Sequence, residues 1–211
     1  SDTLIGGTGG DDIYGDNVNA DAGSAYGEDV IAGDNAAILY ASDAANAGDS
    51  GRLSTLGTTF VSSVVTTDTV EATGGDDTIE GNADDDLILG GVGGDTLYGD
   101  AETQGGHDGD DLILGDNGTV DFGADPTYLD SVVSEDSAVL GGNDTISGDA
   151  GSDTLIGGTG GDDIYGDNVN ADAGSADGED VIAGDNAAIL YAADPYQGAS
   201  ADRLHTLRDS V

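Results

Sequence analysis

Residues 90–98 read Gly90-Gly91-Val92-Gly93-Gly94-Asp95-Thr96-Leu97-Tyr98, and this stretch decides the fold. The same arrangement of glycines, one aspartate and one large apolar residue recurs at residues 6–14 and 157–165. All three copies fit the nonapeptide pattern GGxGxDxUx, in which U is a large apolar residue. Nine residues are enough for one tight turn and one short strand. The pattern therefore predicts short strands separated by glycine turns.

Partial copies extend this pattern along much of the chain. Eleven aspartates fall on a near nine-residue beat, and each is followed two residues later by Ile or Leu. The aspartates, which we predict to be metal ligands, are Asp2, Asp11, Asp29, Asp77, Asp86, Asp95, Asp111, Asp144, Asp153, Asp162 and Asp180. The U residues, which we expect to point inward and form a core, are Leu4, Ile13, Ile31, Ile79, Ile88, Leu97, Ile113, Ile146, Leu155, Ile164 and Ile182.

Acidic residues dominate the charge of the chain. The sequence has 44 Asp and Glu against 3 Lys and Arg, which gives a formal net charge of -41. Self-repulsion of this size opposes a compact state, so we expect no folding without counter-ions. Nucleic acids and anionic membrane surfaces are poor partners for such a polyanion. An acidic disordered tail has a similar composition, but it would not return Gly-x-Asp-x-Leu/Ile in register.

We predict that the chain is not an enzyme. It contains no Gly-x-Ser-x-Gly and no His-Glu-x-x-His motif. The turn Gly48-Asp49-Ser50-Gly51 is similar to the one around the nucleophile of trypsin-like proteases, but Ala201 replaces Ser50 in the second copy. No Gly-Lys-Ser/Thr follows the glycine turns, so they do not predict a phosphate site.

Repetition also occurs on a longer scale. Residues 1–41 recur as residues 152–192 with one difference, Tyr26 against Asp177. We predict segments of nonapeptide repeats at residues 1–35, 73–117 and 141–186, which we call roll segments. We predict strand-rich connectors at residues 36–72, 118–140 and 187–211. The apolar runs at residues 36–40 and 187–191, and the β-branched, turn-bounded runs at residues 60–67 and 128–134, predict connector strands. No 3.6-residue apolar period occurs, so we predict essentially no helix.

The nonapeptides resemble those of the RTX, or haemolysin-type calcium-binding, family. The resemblance implies an all-β parallel β-roll, or β-solenoid, in which two nonapeptides complete one coil. It also implies several bound calcium ions, each held by about six to eight oxygen ligands. Besides the aspartates, the expected ligands are backbone carbonyls of Gly6, Gly7, Gly9, Gly90, Gly91, Gly93, Gly157, Gly158 and Gly160.

Spacing predicts which aspartates share a calcium column. Aspartates eighteen residues apart are expected to pair: Asp11 with Asp29, Asp77 with Asp95, Asp144 with Asp162, and Asp162 with Asp180. Ala20 and Ala171 stand nine residues after Asp11 and Asp162, so we expect a missing ligand there. Residues 16–27, 100–109 and 167–178 are interpreted as excursions from the roll.

Further acids, in the excursions and at the ends of the roll segments, are candidates for additional ligands, and solvated charge is the alternative for the excursion acids. They are Asp16, Asp34, Asp116, Asp167 and Asp185.

One U side chain per nonapeptide makes a thin core. Its burial contributes about 1.5–3 kcal/mol, against roughly 1–2 kcal/mol of backbone entropy for every residue ordered. We therefore expect calcium binding to be coupled to folding.

The resemblance implies type I secretion. We expect a calcium-binding structural repeat segment of a secreted extracellular protein, on the surface of a Gram-negative-type bacterium: an adhesin shaft, a surface-layer or matrix component, or a filament that self-associates into fibres or arrays. The alternative is an RTX folding and secretion module of a secreted enzyme whose catalytic domain lies outside this chain. A third class is a surface that binds sugar or ice. Ice binding would need a regular ladder of threonine or asparagine, which we do not expect at the outward positions.

Overall fold

The computed structural model describes residues 2–16, 27–42, 54–56, 59–100, 109–122, 129–135, 140–167 and 178–191. The strands are, in chain order, β1 (Thr3–Ile5), β2 (Asp12–Tyr14), β3 (Val30–Ala32), β4 (Ala36–Ser42), β5 (Ser54–Leu56), β6 (Thr59–Thr66), β7 (Thr78–Asn82), β8 (Leu87–Gly91), β9 (Thr96–Asp100), β10 (Leu112–Asp116), β11 (Gly118–Asp121), β12 (Ser131–Ser134), β13 (Thr145–Asp149), β14 (Thr154–Ile156), β15 (Asp163–Asp167), β16 (Val181–Ala183) and β17 (Ala188–Leu190). One 3-10 turn lies at Glu71–Thr73, and these described ranges contain no α-helix. They likewise hold no helix that is long and apolar enough to cross a membrane.

Two parallel sheets form the roll. The inner sheet has the strand order β1-β3-β8-β10-β14-β16, and the outer sheet has the order β2-β7-β9-β13-β15. Apart from the connector strands, consecutive strands of the chain alternate between these two sheets. Each nonapeptide therefore carries the chain from one sheet to the other, and two complete one coil. The predicted all-β parallel roll is confirmed.

Segments that are distant in sequence share these sheets. Across the first connector, β3 pairs in parallel with β8, with Ile31 opposite Ile88. Across the second connector, β10 pairs with β14, with Ile113 opposite Leu155. The three roll segments thus stack as one continuous column of coils.

The U residues fill the space between the inner and outer sheets. Ile182 is the exception, with a side chain that is 49% exposed, because it lies on β16, the last strand of the described inner sheet. The other ten confirm the expected inward orientation: Ile31, Ile79, Ile88, Leu97, Ile113, Ile146 and Leu155 are buried, and Leu4, Ile13 and Ile164 pack against them.

The connector strands form a third, antiparallel sheet, which we call the connector sheet. Its order is β17-β12-β11-β6-β4, and β5 pairs with β6. Val64 and Val120 of this sheet share a buried cluster with Leu87 and Leu112 of the inner sheet. The expectation of a single thin core was therefore wrong, because the connectors cover the inner sheet and create a second core.

The residues beside U distinguish the two roll sheets. Inner strands are mostly apolar runs such as Leu87-Ile88-Leu89, whereas outer strands read like Thr96-Leu97-Tyr98. Successive side chains of a strand point to opposite faces. Continuous apolar runs are typical of strands that are buried on both faces, and the central inner strands β3, β8, β10 and β14 are such strands.

The outward face of the outer sheet carries two side-chain rows in register. The first row is Asp12, Thr78, Thr96, Thr145 and Asp163, and the second is Tyr14, Glu80, Tyr98, Ser147 and Tyr165. The expectation that no regular threonine row exists was wrong. Thr78 and Thr96 stand one coil apart, but Thr145 joins them across the second connector, so spacing along the chain does not reveal the whole row.

Candidate calcium sites in the turns

Two columns of aspartates run along the edges of the roll. The first edge holds the turns that lead from the inner to the outer sheet, and the second edge holds the returning turns. On both edges the backbone N–H of one column aspartate donates to Oδ1 of the aspartate in the next coil, as from Asp77 to Asp95 at 2.9 Å and from Asp95 to Asp144 at 2.8 Å. The first-edge column is Asp11, Asp77, Asp95, Asp144 and Asp162. The second-edge column is Asp2, Asp29, Asp86, Asp111, Asp153 and Asp180.

The second carboxylate oxygen of these aspartates is buried in the turn. Burying such an oxygen without a hydrogen bond is costly. Its recurrence at the same position of successive turns fits a bound cation. Eight column aspartates have a buried Oδ2 with no hydrogen-bond partner among the described residues: Asp11, Asp77, Asp86, Asp95, Asp111, Asp144, Asp153 and Asp162.

The first glycine of each nonapeptide leaves a cradle beside this oxygen. A Cβ at Gly33 would overlap Oδ2 of Asp77 and would stand 2.6 Å from the carbonyl oxygen of Gly90. Each cradle is thus lined by one carboxylate oxygen and by a carbonyl oxygen of the next coil, which are the hard donors that calcium prefers. The same arrangement recurs at Gly6, Gly15, Gly81, Gly90, Gly99, Gly115, Gly148 and Gly157.

The carbonyls that line the cradles agree only in part with those predicted as calcium ligands. The carbonyls of Gly90 and Gly157 line cradles as expected. Equivalent carbonyls were missed where the turn lacks a full GGxG motif, namely those of Gly33, Gly81, Gly99, Gly115, Gly148, Gly166 and Gly184. Calcium ligation stays a prediction for all of these carbonyls, and equally for those of Gly6, Gly7, Gly9, Gly91, Gly93, Gly158 and Gly160.

The second and fourth positions of uninterrupted turns adopt left-handed backbone conformations. Gly91 has a φ of 117° and Gly93 a φ of 133°, which glycine adopts without a steric penalty. In the turn that begins at Gly81 the same positions are held by Asn82 and Asp84, with φ values of 89° and 67°. Asn and Asp tolerate this conformation better than other side chains.

Burial raises the pKa of the column carboxylates. It raises the pKa of Asp77 to about 6, that of Asp144 to about 7 and that of Asp95 to about 9, and neighbouring carboxylates add to the rise. Burial also raises the pKa of Asp86 and Asp111 well above the usual value. Ionised carboxylates at these positions therefore need a counter-ion, and a cation between coils would supply it.

The donor set consists of oxygen atoms only. In the part of the chain that the structure describes, no three His, Cys, Asp or Glu side chains converge as a metal cluster. A site whose remaining ligands are backbone carbonyls does not require such a cluster. The cradles therefore fit calcium through one carboxylate per coil and the carbonyls around it.

Residues 66–101 and 140–170 match the family model of the RTX calcium-binding nonapeptide repeat, in four copies. These two stretches of the chain consist of RTX calcium-binding nonapeptide repeats. RTX repeats bind calcium and are typical of type I-secreted bacterial proteins. Searches of curated proteins and of solved structures return no match.

Two of the predicted RTX aspartate pairings are correct and two are wrong. Asp77 with Asp95, and Asp144 with Asp162, are neighbours in the first-edge column. The other two pairs join aspartates of opposite edges: Asp11 with Asp29, and Asp162 with Asp180.

The physical reason is that eighteen residues can span either one coil or half of one. Asp11 and Asp29 belong to consecutive nonapeptides, the second of which is lengthened by an excursion. Ala20 and Ala171 lie outside the described residues. The predicted gaps were wrong, because Asp29 and Asp180 occupy the aspartate position of those nonapeptides.

Every insertion enters the RTX turn between its second and fourth positions. On the second edge the excursion ends are tied together, because Gly27 N–H donates to Asp16 Oδ2 at 3.2 Å and Gly109 N–H donates to Asp100 Oδ2 at 3.1 Å. The first two connectors leave and return at the same positions of first-edge turns. The turn therefore closes whatever is inserted, and the coils keep stacking.

The five candidates for additional ligands all occupy the second position. Asp34 accepts the N–H of Val92 at 2.6 Å, and Asp116 accepts those of Gly142, at 3.0 Å, and Thr159. Both therefore tie a connector-bearing turn to the next coil. Asp16 closes its own excursion, Asp167 has a buried Oδ1 with no hydrogen-bond partner among described residues, and Asp185 is exposed. Metal binding by these five stays a prediction.

A second ladder lies one residue before the column aspartates, and sequence analysis missed it. Asp85 Oδ1 accepts the N–H of Asp110 at 2.8 Å, and Asp110 Oδ1 accepts the N–H of Ser152 at 2.8 Å. The readable signal is an Asp immediately before the column residue, as in Asp85-Asp86. On the first edge, Asp76 and Asn143 play this part.

Proposed function

We propose that this chain is a calcium-stabilised structural segment of a secreted bacterial surface protein, such as an adhesin shaft or an element of a surface array. The observation that supports this role is the continuity of the two aspartate columns through every insertion. Because each cradle is shared between neighbouring coils, coils can be added without changing the site. Such a roll suits a spacer of variable length.

The ions would be held by the column carboxylates together with the first-position glycine carbonyls. With a net charge of -41, the chain repels itself where calcium is scarce and stays extended for export. Calcium outside the cell then neutralises the buried carboxylates, and binding and folding proceed together. We propose no catalytic role for any residue of the chain.

The spacer role predicts how length grows with repeat number. A 151-residue repeat carries the chain from β1 to its copy β14 and contains four inner strands, β1, β3, β8 and β10. Adjacent strands lie about 4.8 Å apart, so each repeat should add about 19 Å of rod. Small-angle X-ray scattering of proteins with one and two repeats, with calcium and without it, measures this increment. A compact particle with no lengthening in calcium would contradict the spacer role.

A further inference from the structure

The outer sheet presents three tyrosines on one face, in a single row. Tyr14 pairs with Glu80, Glu80 with Tyr98, Tyr98 with Ser147, and Ser147 with Tyr165. The tyrosines therefore stand on every second strand. Since neighbouring strands are about 4.8 Å apart, the tyrosines are spaced by roughly 10 Å along the roll axis.

The tyrosines at the two ends of this row are exposed, whereas Ser147 within the row is buried. Tyr14 is 44% exposed and Tyr165 is 40% exposed. Ser147, between Tyr98 and Tyr165, is only 4% exposed and donates its hydroxyl hydrogen to Asp149 Oδ1 at 2.8 Å. We call this row the aromatic strip. Its tyrosine rings alternate with the smaller or polar side chains of Glu80 and Ser147.

Hydroxyl groups lie beside the strip on the same face. Thr78 pairs with Thr96, and Thr96 pairs with Thr145, which gives a row of threonines parallel to the tyrosines. Tyrosine offers an apolar ring with a polar tip. An aromatic strip next to hydroxyl and carboxylate groups suits a ligand whose faces are apolar and whose edges carry hydroxyls.

We propose that this tyrosine row binds a neutral β-1,4-linked polysaccharide along the roll axis. Successive sugars of such a chain alternate in orientation, so that every second ring presents the same face, and this disaccharide repeat matches two strand spacings. Anionic polymers are disfavoured because the protein itself carries a net charge of -41. The inference goes beyond the spacer role. It shares with that proposal only the requirement that calcium folds the roll.

The test is isothermal titration calorimetry of the calcium-loaded protein with cellohexaose, a neutral β-1,4-linked hexasaccharide. Binding is expected, and a β-1,3-linked hexasaccharide of the same sugar should bind at least tenfold more weakly. Tyr98→Ala should weaken cellohexaose binding at least tenfold, whereas Tyr98→Phe should retain most of it. The matched control is Tyr40→Ala, because Tyr40 is 42% exposed but lies in the connector sheet.

Circular dichroism in calcium separates this inference from the proposed function. If Tyr98→Ala loses its strand signal, Tyr165→Ala on the edge strand β15 takes its place. Absence of cellohexaose binding by a protein that is folded in calcium would overturn the inference and leave the spacer role intact. Equal loss of binding in Tyr40→Ala would also overturn it.

Discussion

The backbone N–H of Asp86 donates a 2.8 Å hydrogen bond to Oδ1 of Asp111, which lies 25 residues further along the chain. The excursion at residues 101–108 falls between them in sequence, yet the two aspartates occupy the same position of neighbouring coils. The contact between coils is therefore independent of what is inserted into the turn. The calcium cradles are accordingly a property of the stack and not of a single nonapeptide.

Neutralising one column carboxylate should have opposite effects with and without calcium. In Asp95→Asn the amide still offers an oxygen to Asp77 N–H, but the charged Oδ2 is lost from the cradle. We expect calcium binding to weaken about tenfold, or ~1.4 kcal/mol. The calcium-free fold should instead be more stable than that of the wild type, because burial disfavours the ionised carboxylate and raises the pKa of Asp95 to about 9.

Calcium titration at pH 8, and circular dichroism of the calcium-free protein during acidification, measure these two effects. Without calcium, Asp95→Asn should gain strand signal at a higher pH than the wild type. The matched control is Asp12→Asn, which removes an exposed carboxylate adjacent to the column. A loss of stability in Asp95→Asn under both conditions would show that the carboxylate acts through its hydrogen bond alone.

Acid should favour the calcium-free roll. Burial raises the folded-state pKa of Asp77, Asp144 and Asp95 to about 6, 7 and 9, above the ordinary value of about 3.9 for the unfolded chain. The folded state therefore binds more protons, so its stability is greatest below pH 4 and is lost as pH rises through about 6 to 9. We expect strand content to rise when the calcium-free chain is acidified from pH 8 to pH 4.

Calcium reverses this dependence, because the ion requires deprotonated carboxylates. Calcium affinity should fall over the same interval from pH 8 to pH 4. Circular dichroism of a dialysed, calcium-free sample and calcium titrations at each pH follow the two trends. Strand content that declines on acidification without calcium would be inconsistent with buried ionised carboxylates.

A single residue should replace an excursion without harm to the roll. In the turn of residues 148–153, Asp149 at the second position is followed by Ala150 and Gly151. Replacing residues 101–108 by one alanine creates the same turn between Asp100 and Gly109. Because loop length has only a weak effect on stability, we expect the calcium midpoint to change by less than twofold.

A one-residue deletion in an uninterrupted turn is the control. Deleting Gly90 shifts the register of an uninterrupted turn by one residue and should abolish calcium-induced strand formation. If shortening the excursion were as damaging as deleting Gly90, the excursion would have to take part in the stack.

The connector sheet should contribute to stability through the face of the inner sheet that it covers. Leu112 is fully buried in the cluster with Val120 and Val64, so Leu112→Ala should cost about 2–5 kcal/mol of the free energy of unfolding in calcium. The matched substitution on the outer sheet is Thr96→Ala, at the equivalent position of its nonapeptide. A surface position of this kind should cost about 0.5 kcal/mol or less. Equal costs for both substitutions, measured by denaturant unfolding, would contradict the second core.

Features that repeat within each nonapeptide could be predicted from the sequence, whereas contacts between distant nonapeptides could not. Asp95 and Leu97 recur with a fixed local spacing, so the ligand column, the inward apolar row and the roll itself could be read along the chain. Asp11 and Asp77 are neighbours across a connector, and no spacing rule gives that relationship. To predict that Asp11 and Asp77 are neighbours, one must know that insertions enter the turn between its second and fourth positions.

The packing of the connectors could not be predicted from the sequence either, because the strands that pair are far apart along the chain. Val64 lies opposite Val120 although 56 residues separate them in the sequence, and β-branched runs indicate strands without naming their partners. One signal was available, because the leucines on both sides of Ile88 and Ile113 require a second apolar layer. Their counterparts beside Leu97 are Thr96 and Tyr98, which require none.

The central claim is that calcium between the aspartate columns holds the coils together. Far-ultraviolet circular dichroism at pH 7.5, recorded during a calcium titration and then after excess EGTA, tests it most directly. We predict a disordered spectrum in EGTA, a cooperative and reversible rise of strand signal with calcium, and no such rise with magnesium, which demands a smaller and more regular ligand shell. A full strand spectrum that persists in excess EGTA at this pH would contradict the account.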